Sequence, residues 1–236
     1  MVDPRTNALL AAIPHPEYER WLEYLEPVEL PPGAVLHEAG AQMSYVYFPT
    51  TAIVSLIFVM DNGATTEIAM VGNEGIVGVS LFMGGESTTS RAVVRSRGLS
   101  YRLKAGRMIE EFNRAGPVMY QLLRYTQALI TQMAQTAVCN RHHSLDQQLC
   151  RWLLLTLDRQ ESNELVVTQE LIANLLGVRR EGVTEAAGRL HAAGIIHYRR
   201  GHITVIERAQ LELRSCECYA VVKREYNRLL PRNAAE

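Results

Sequence analysis

Residues 168–206, TQELIANLLGVRREGVTEAAGRLHAAGIIHYRRGHITVI, constrain this chain more than any other segment. The Thr168 hydroxyl can cap free backbone N–H groups, and Glu170 suits the positive end of a helix dipole. Leu171, Ile172, Leu175 and Leu176 follow at spacings that make one apolar face. Gly177 permits the left-handed backbone of a tight helix exit. A second helix is expected from about Arg179 to Ala193, with Val183, Ala187 and Leu190 inward and Gly194 as its stop. Glu181, Thr184, Glu185 and Gly188 lie on a different face without a large apolar side chain. Gly182 and Gly188 each cost on the order of 1 kcal/mol relative to alanine, which close approach to a backbone would explain. Ile195–Ile206 then gives two β-prone runs around Arg199-Arg200-Gly201-His202, a hairpin with a basic tip. Helix, tight turn, polar-faced helix and hairpin are together the outline of a winged helix-turn-helix, which sets side chains in the DNA major groove. Arg179 and Arg180 open the second helix, where base edges are met. The hairpin tip suits phosphate contacts that fix register without reading sequence.

Net charge does not advertise a nucleic-acid partner, because 24 Lys+Arg face 25 Asp+Glu in 236 residues. The distribution leans the right way: residues 1–138 hold 10 basic and 13 acidic residues, and 139–236 hold 14 and 12. Affinity would therefore come from locally placed arginines. Four cysteines without a dense framework suggest a reducing compartment. No signal sequence is evident at the start, and Thr51–Met60 is too short to span a bilayer as a helix, so a cytoplasmic protein with no membrane partner is expected.

Along the chain, 6–26 reads as helical, with Leu9, Leu10, Trp21, Leu22 and Leu25 at apolar positions. Short β-prone runs follow at Val35–Glu38, Tyr45–Phe48, Ile53–Met60, Thr65–Val71, Ala92–Arg95 and Ser100–Leu103. Asp61-Asn62-Gly63 is a hairpin signal, and the set indicates a small antiparallel roll or barrel. From Pro117, residues Met119, Leu123, Thr126, Ile130, Met133 and Ala137 recur at steps of four and three, the seam of a short coiled coil. That seam also fits an ordinary buried helix, but a two-fold reader of a palindrome needs an interface. Residues 144–160 form another helix, and Glu207–Leu230 one or two more.

Roll, long helix, then winged helix-turn-helix is the order of the Crp/Fnr family of bacterial transcription regulators, which the sequence resembles over nearly its full length. TQELIANLLGVRREGVTEAAGRL is similar to the family's helix-turn-helix pattern. GNEGIVGVSLFMGG followed by an arginine looks like the cassette that cradles a cyclic-nucleotide phosphate. The resemblance implies an α+β homodimer: an N-terminal antiparallel β-roll effector domain (1–116), a dimerisation helix (117–141), and a C-terminal winged helix-turn-helix with a helical extension (142–236). It implies double-stranded DNA and RNA polymerase as partners, with a possible small-molecule effector. Arg180 and Glu181 match the family's base-reading pair. Glu185 stands where cyclic-AMP-binding members carry an arginine, so the preferred operator should differ from theirs. Arg180, Glu181, Thr184 and Glu185 are thus expected to face bases. Thr168, Gln169, Arg179, Arg189, Arg199, Arg200 and His202 are expected at the DNA backbone.

The sensor departs further. Gly78 is followed by Val79 instead of the glutamate that holds a ribose hydroxyl, and Ser90-Arg91 is displaced by one from the family's arginine–hydroxyl order. Such a shift turns a strand side chain to the opposite face. Gly78, Val79, Ser90 and Arg91 are the effector-pocket candidates. Ala134-Gln135 replace the adenine-facing hydroxyl pair. Among cysteines none precedes Cys139, which argues against an N-terminal iron–sulfur cluster, and His37 is the one candidate haem ligand in the roll. Neither cofactor nor metal is assigned, although Cys139 and His143, four apart on a helix and next to His142, could share one. A metal or redox switch there, or a sensor of cyclic mono- or dinucleotides, is the alternative to an effector-independent regulator. Cys216 and Cys218, two apart, would point to opposite faces of a helix and read as structural. No P-loop, dinucleotide fingerprint or nucleophile–base arrangement suggests an enzyme, and Glu110-Glu111 reads as a solvated face.

Overall fold

The computed structural model describes residues 2–230. A 3-10 turn (Pro4–Thr6) leads to helices α1 (Ala8–Ala11) and α2 (His15–Leu22), and then to strands β1 (Glu26–Leu30), β2 (Val35–His37), β3 (Tyr45–Pro49), β4 (Ile53–Val59) and β5 (Thr65–Val71). A second 3-10 turn (Val79–Leu81) precedes β6 (Arg91–Ser96) and β7 (Gly98–Lys104). Helices α3 (Ala105–Asn113), α4 (Pro117–His142) and α5 (Leu145–Leu157) follow. Then come β8 (Glu164–Val166), α6 (Gln169–Leu176), α7 (Arg180–Ala192), β9 (Ile196–Arg199), β10 (His202–Val205), α8 (Arg208–Arg214) and α9 (Glu217–Leu229).

The first seven strands form two sheets, ordered β1-β7-β3 and β2-β6-β4-β5. β1 and β3 flank β7 antiparallel, Glu26 opposite Arg102 and Phe48 opposite Tyr101. Val46, Phe48 and Leu103 of one sheet, and Ile53, Val54, Met70, Ala92 and Val94 of the other, are almost fully buried. That buried set removes apolar surface from water, with alternation in β3 and β6 and a continuous buried run at the start of β4. The single helix expected over 6–26 is instead broken. Pro14 has no N–H to give and sits at the N-cap of α2, and β1 already begins at Glu26. Asn7 fixes the first break. Its carboxamide donates to the carbonyls of Pro49 and Gly75, and its Oδ1 accepts from the N–H groups of Leu9 and Leu10. A fully buried amide with every hydrogen bond made costs little and specifies one arrangement.

The chain forms two compact units, and the division falls inside α4: 2–56, 69–131 and 224–230 make one, while 57–68 and 132–223 make the other. α4 is 26 residues long. In the first unit its Val118, Leu122, Tyr125 and Leu129 are buried, with Tyr125 against Gly75. Thr126, placed in the coiled-coil seam by spacing, is buried within its own chain, its hydroxyl donating to the Leu122 carbonyl. Tyr120, Leu123, Ile130 and Val138 remain 44–60% exposed on the same helix.

In the second unit α5 is buried along nearly its whole length after a Ser144–Gln147 capping box, and Trp152 Nε1 donates to Glu67 at 3.0 Å. The expected two-stranded wing is a three-stranded sheet, β8-β10-β9, with Leu165 opposite Ile203 and Ile203 opposite Tyr198. No helix of the described residues is long and apolar enough to cross a membrane.

Candidate nucleic-acid interface

α6 begins where Thr168 Oγ1 accepts from the Leu171 N–H, and ends where Gly177 takes φ +67°. That backbone costs a side-chain-bearing residue roughly 1–2 kcal/mol. α7 starts three residues after Gly177, at Arg180, with Arg179 in extended conformation as its N-cap. Val183, Ala186, Ala187 and Leu190 are buried, so α7 has a fixed inner face. Arg180, Glu181, Thr184 and Glu185 are all exposed along the other side. A methyl group at Gly182 would come 2.8 Å from the end of the Leu145 side chain, a flexible end that can move aside, and no backbone approaches this glycine closely. Gly188 faces open space, and nothing in its surroundings demands it.

The polar face is partly organised from within. Thr184 Oγ1 donates to Gln169 Oε1 at 2.7 Å, tying α7 to α6. Arg180 lies 3.9 Å from Glu170, and both are mostly exposed, a loose pair that holds neither side chain. Arg189 is gripped instead: Nε and Nη2 donate to the two oxygens of Asp146 at 2.8 and 2.5 Å. At the hairpin, Arg200 and Gly201 form a two-residue loop between the paired Arg199 and His202. Arg199 and Arg200 are exposed. His202 Nδ1 lies 2.7 Å from Glu164 on the added strand β8. The Asp146 and Glu164 partners come from 43 and 38 residues away, so spacing within the motif gave no sign of them.

The effector-pocket candidates lie at the second 3-10 turn and at the start of β6. Gly78 has φ +108° and caps the short turn that begins at a half-buried Val79. Ser90 is buried, its hydroxyl 3.2 Å from that of Thr88. Arg91 stands on the face of β6 opposite the buried Ala92 and Val94, with Nε 2.9 Å from Glu38 Oε2. An aliphatic side chain cannot accept from a ribose hydroxyl, and a carboxylate on the arginine competes with a phosphate. The roll has a different concavity, a cleft of about 370 Å³ lined by Val35, His37, Met43, Tyr45 and Tyr47 among others. His37 is buried, burial holds its imidazole below the usual pKa, and its Nε2 has no hydrogen-bond partner.

Of the remaining candidates, His142 is exposed, whereas Cys139 and His143 come together with Cys216 and Cys218. The opposite-face argument for the latter two fails because Cys216 precedes α9 and is not helical.

Residues 147–214 match the model of the Crp-like helix-turn-helix domain, and 27–115 that of the cyclic nucleotide-binding domain. The two fall in the order roll, then DNA-binding module, and together cover about two thirds of the chain. The chain belongs to the Crp/Fnr family. No curated protein matches its sequence. Among solved structures, it is similar to a Crp/Fnr transcriptional regulator from Eubacterium rectale at TM-score 0.70 and 17% identity, covering 89% of this chain and 98% of that one. FixK2 from Bradyrhizobium japonicum is similar at TM-score 0.68 and 16% identity, covering 81% and 98%. CLP of Xanthomonas campestris, described as a c-di-GMP responsive global regulator, is similar at TM-score 0.65 and 17% identity, covering 81% and 99%. At such identities the likeness is one of fold.

Proposed function

We propose that this Crp/Fnr regulator acts as a homodimer that reads a palindromic DNA operator with α7. The observation that carries the reading is the division of α7 into a buried apolar face and an exposed face of Arg180, Glu181, Thr184 and Glu185. Arg179 and Arg180 support it further. Two cations at a helix N-terminus oppose the helix dipole, and a local rule broken where the one internal contact is the loose, exposed Arg180–Glu170 pair marks a functional surface. In this reading Arg180 donates to a guanine edge, and Glu181 or Glu185 accepts from cytosine N4. Thr168, Gln169, Arg179, Arg199 and Arg200 hold the phosphates. Arg189 reaches the DNA only as Asp146 releases it, and the His202 ring only as Glu164 does. The exposed stripe of Tyr120, Leu123 and Ile130 on α4 pairs two copies, an apolar surface that a lone chain would leave in water. The test is a salt-controlled titration of operator-binding mutants. Arg180→Ala should weaken specific binding by about 1–3 kcal/mol and relax one base position, whereas Arg200→Ala should weaken all sequences alike and reduce the salt slope by about one. Wild-type affinity in both mutants would sink the assignment.

The cleft around His37 favours a second reading, in which the roll senses a small molecule. Its volume suits a compact ligand. Its lining holds His37 and a Glu38 already paired with Arg91, and no arginine or lysine of its own, so an uncharged ring compound fits it better than a phosphate-bearing one. The c-di-GMP response in the description of CLP would thus not carry over. Calorimetry with cyclic mononucleotides and cyclic di-GMP should give no heat of binding, and a site that saturates with any of them would overturn this reading.

A further inference from the structure

We propose that Cys139, His143, Cys216 and Cys218 form a closed, four-coordinate zinc site in the DNA-reading half of the chain. One donor atom from each lies within 4.8 Å of every other. Cys139 and Cys216 Sγ are 3.5 Å apart, and Cys218 Sγ is 3.6 Å from His143 Nδ1. A tetrahedral zinc ion with Zn–S of about 2.3 Å and Zn–N of about 2.0 Å sets S···S and S···N edges of about 3.8 and 3.5 Å. The donors already stand at one-ion spacing. An iron–sulfur cluster would spread its ligands more widely.

The chain builds this site from two places distant in sequence. Cys139 and His143 are one turn apart at the end of α4. Ser215 ends α8 in extended conformation, so Cys216 lies in the corner before α9 and Cys218 in its first turn. The corner turns both thiols of the C-x-C pair to the same point, which a continuous helix would not do. All three cysteines are buried and form a cluster of their own. The supporting contacts are those of a metal site. His143 Nε2 lies 3.3 Å from Glu217 Oε1, and a carboxylate there fixes the ring with Nδ1 toward the metal. Gln148 Nε2 donates to the carbonyls of Cys139 and His143, holding the helix end that carries two ligands. Three thiolates and one imidazole around Zn(II) leave one net negative charge. The buried Arg151 guanidinium acts on Cys139 and Cys218, and its Nε has no hydrogen-bond partner. The fourth cysteine, Cys150, is buried outside this group.

The proposal is independent of what the polar face of α7 binds. It is tested on the full chain purified without chelator or a metal-affinity step. Elemental analysis should find about one zinc per chain. Cys218→Ala and His143→Ala should each lower this about tenfold or more, and Cys150→Ala should not. If those variants fail to fold, the wild type still decides. After chelation, three thiols should alkylate readily, and zinc alone should protect them again, as counted by intact mass. Folded wild-type protein with less than about a tenth of a zinc per chain, and thiols that label at the same rate with or without added zinc, would overturn the site. So would a native Cys139–Cys216 disulfide. Iron or copper at one per chain would overturn the choice of zinc.

Discussion

His37 shows how one residue joins sequence, fold and chemistry. It closes β2 opposite Ala92 and is buried, so burial lowers its pKa in the folded chain. As pH falls below about 6.5, the unfolded chain takes up this proton first, and the contribution of His37 to stability is lost through that window toward the folded pKa. Urea midpoints at about pH 7.5 and about pH 5.5 should therefore differ more in the wild type than in His37→Gln, and an unchanged difference would show that His37 does not titrate as placed. Gly177 makes the second residue-scale prediction. Gly177→Ala must hold φ +67° with a Cβ, and should lower stability by about 1 kcal/mol in a denaturant titration. Gly177 and the Thr168 cap were legible in the sequence because both act within a few residues. The Asp146 clamp on Arg189 was not, because its partner lies on another helix 43 residues away.

The same contrast governs the elements. Thr65–Val71 forms one strand, and most of the other β-prone runs fall within a residue or two of their observed ends, since alternation is local. β8 escaped because Glu164-Leu165-Val166 is too short to carry a pattern, and is a strand only by pairing with β10. Cys139 and His143 were legible as a pair, but the joining of Cys216 and Cys218 to them escaped for a related reason. A 77-residue separation joins Cys139 to Cys216, and a helix break at Ser215 that neither proline nor glycine announces turns the pair inward. α4 was legible as a helix, but the spacing of Met119, Leu123, Thr126, Ile130, Met133 and Ala137 mixed an inner with an outer face. The burial of Thr126 and Tyr125 separates them and leaves Leu123 and Ile130 outside. Leu123→Glu with Ile130→Glu should keep the fold, because both side chains are exposed in the single chain, and should shift the particle to monomer in sedimentation. A dimer of unchanged strength would place the interface elsewhere.

At the scale of the whole molecule, a sensor fold and a DNA-reading fold share one chain, and α4 runs through both units. The match to the cyclic nucleotide-binding domain covers the strands of the roll, while Val79 and the Glu38-paired Arg91 depart from the family's nucleotide-holding pattern, so the shared fold does not by itself assign a ligand. The DNA-reading half has the opposite character, with its local rules broken at Arg179 and Arg180 where a partner would compensate. Selection of the full-length protein from a pool of random DNA duplexes tests this account most directly. The account predicts enriched inverted repeats whose half-site centres lie about one helical turn apart, 10–10.5 base pairs, or a multiple of it. Enrichment of no shared sequence, with a monomeric particle indifferent to every duplex, would contradict it.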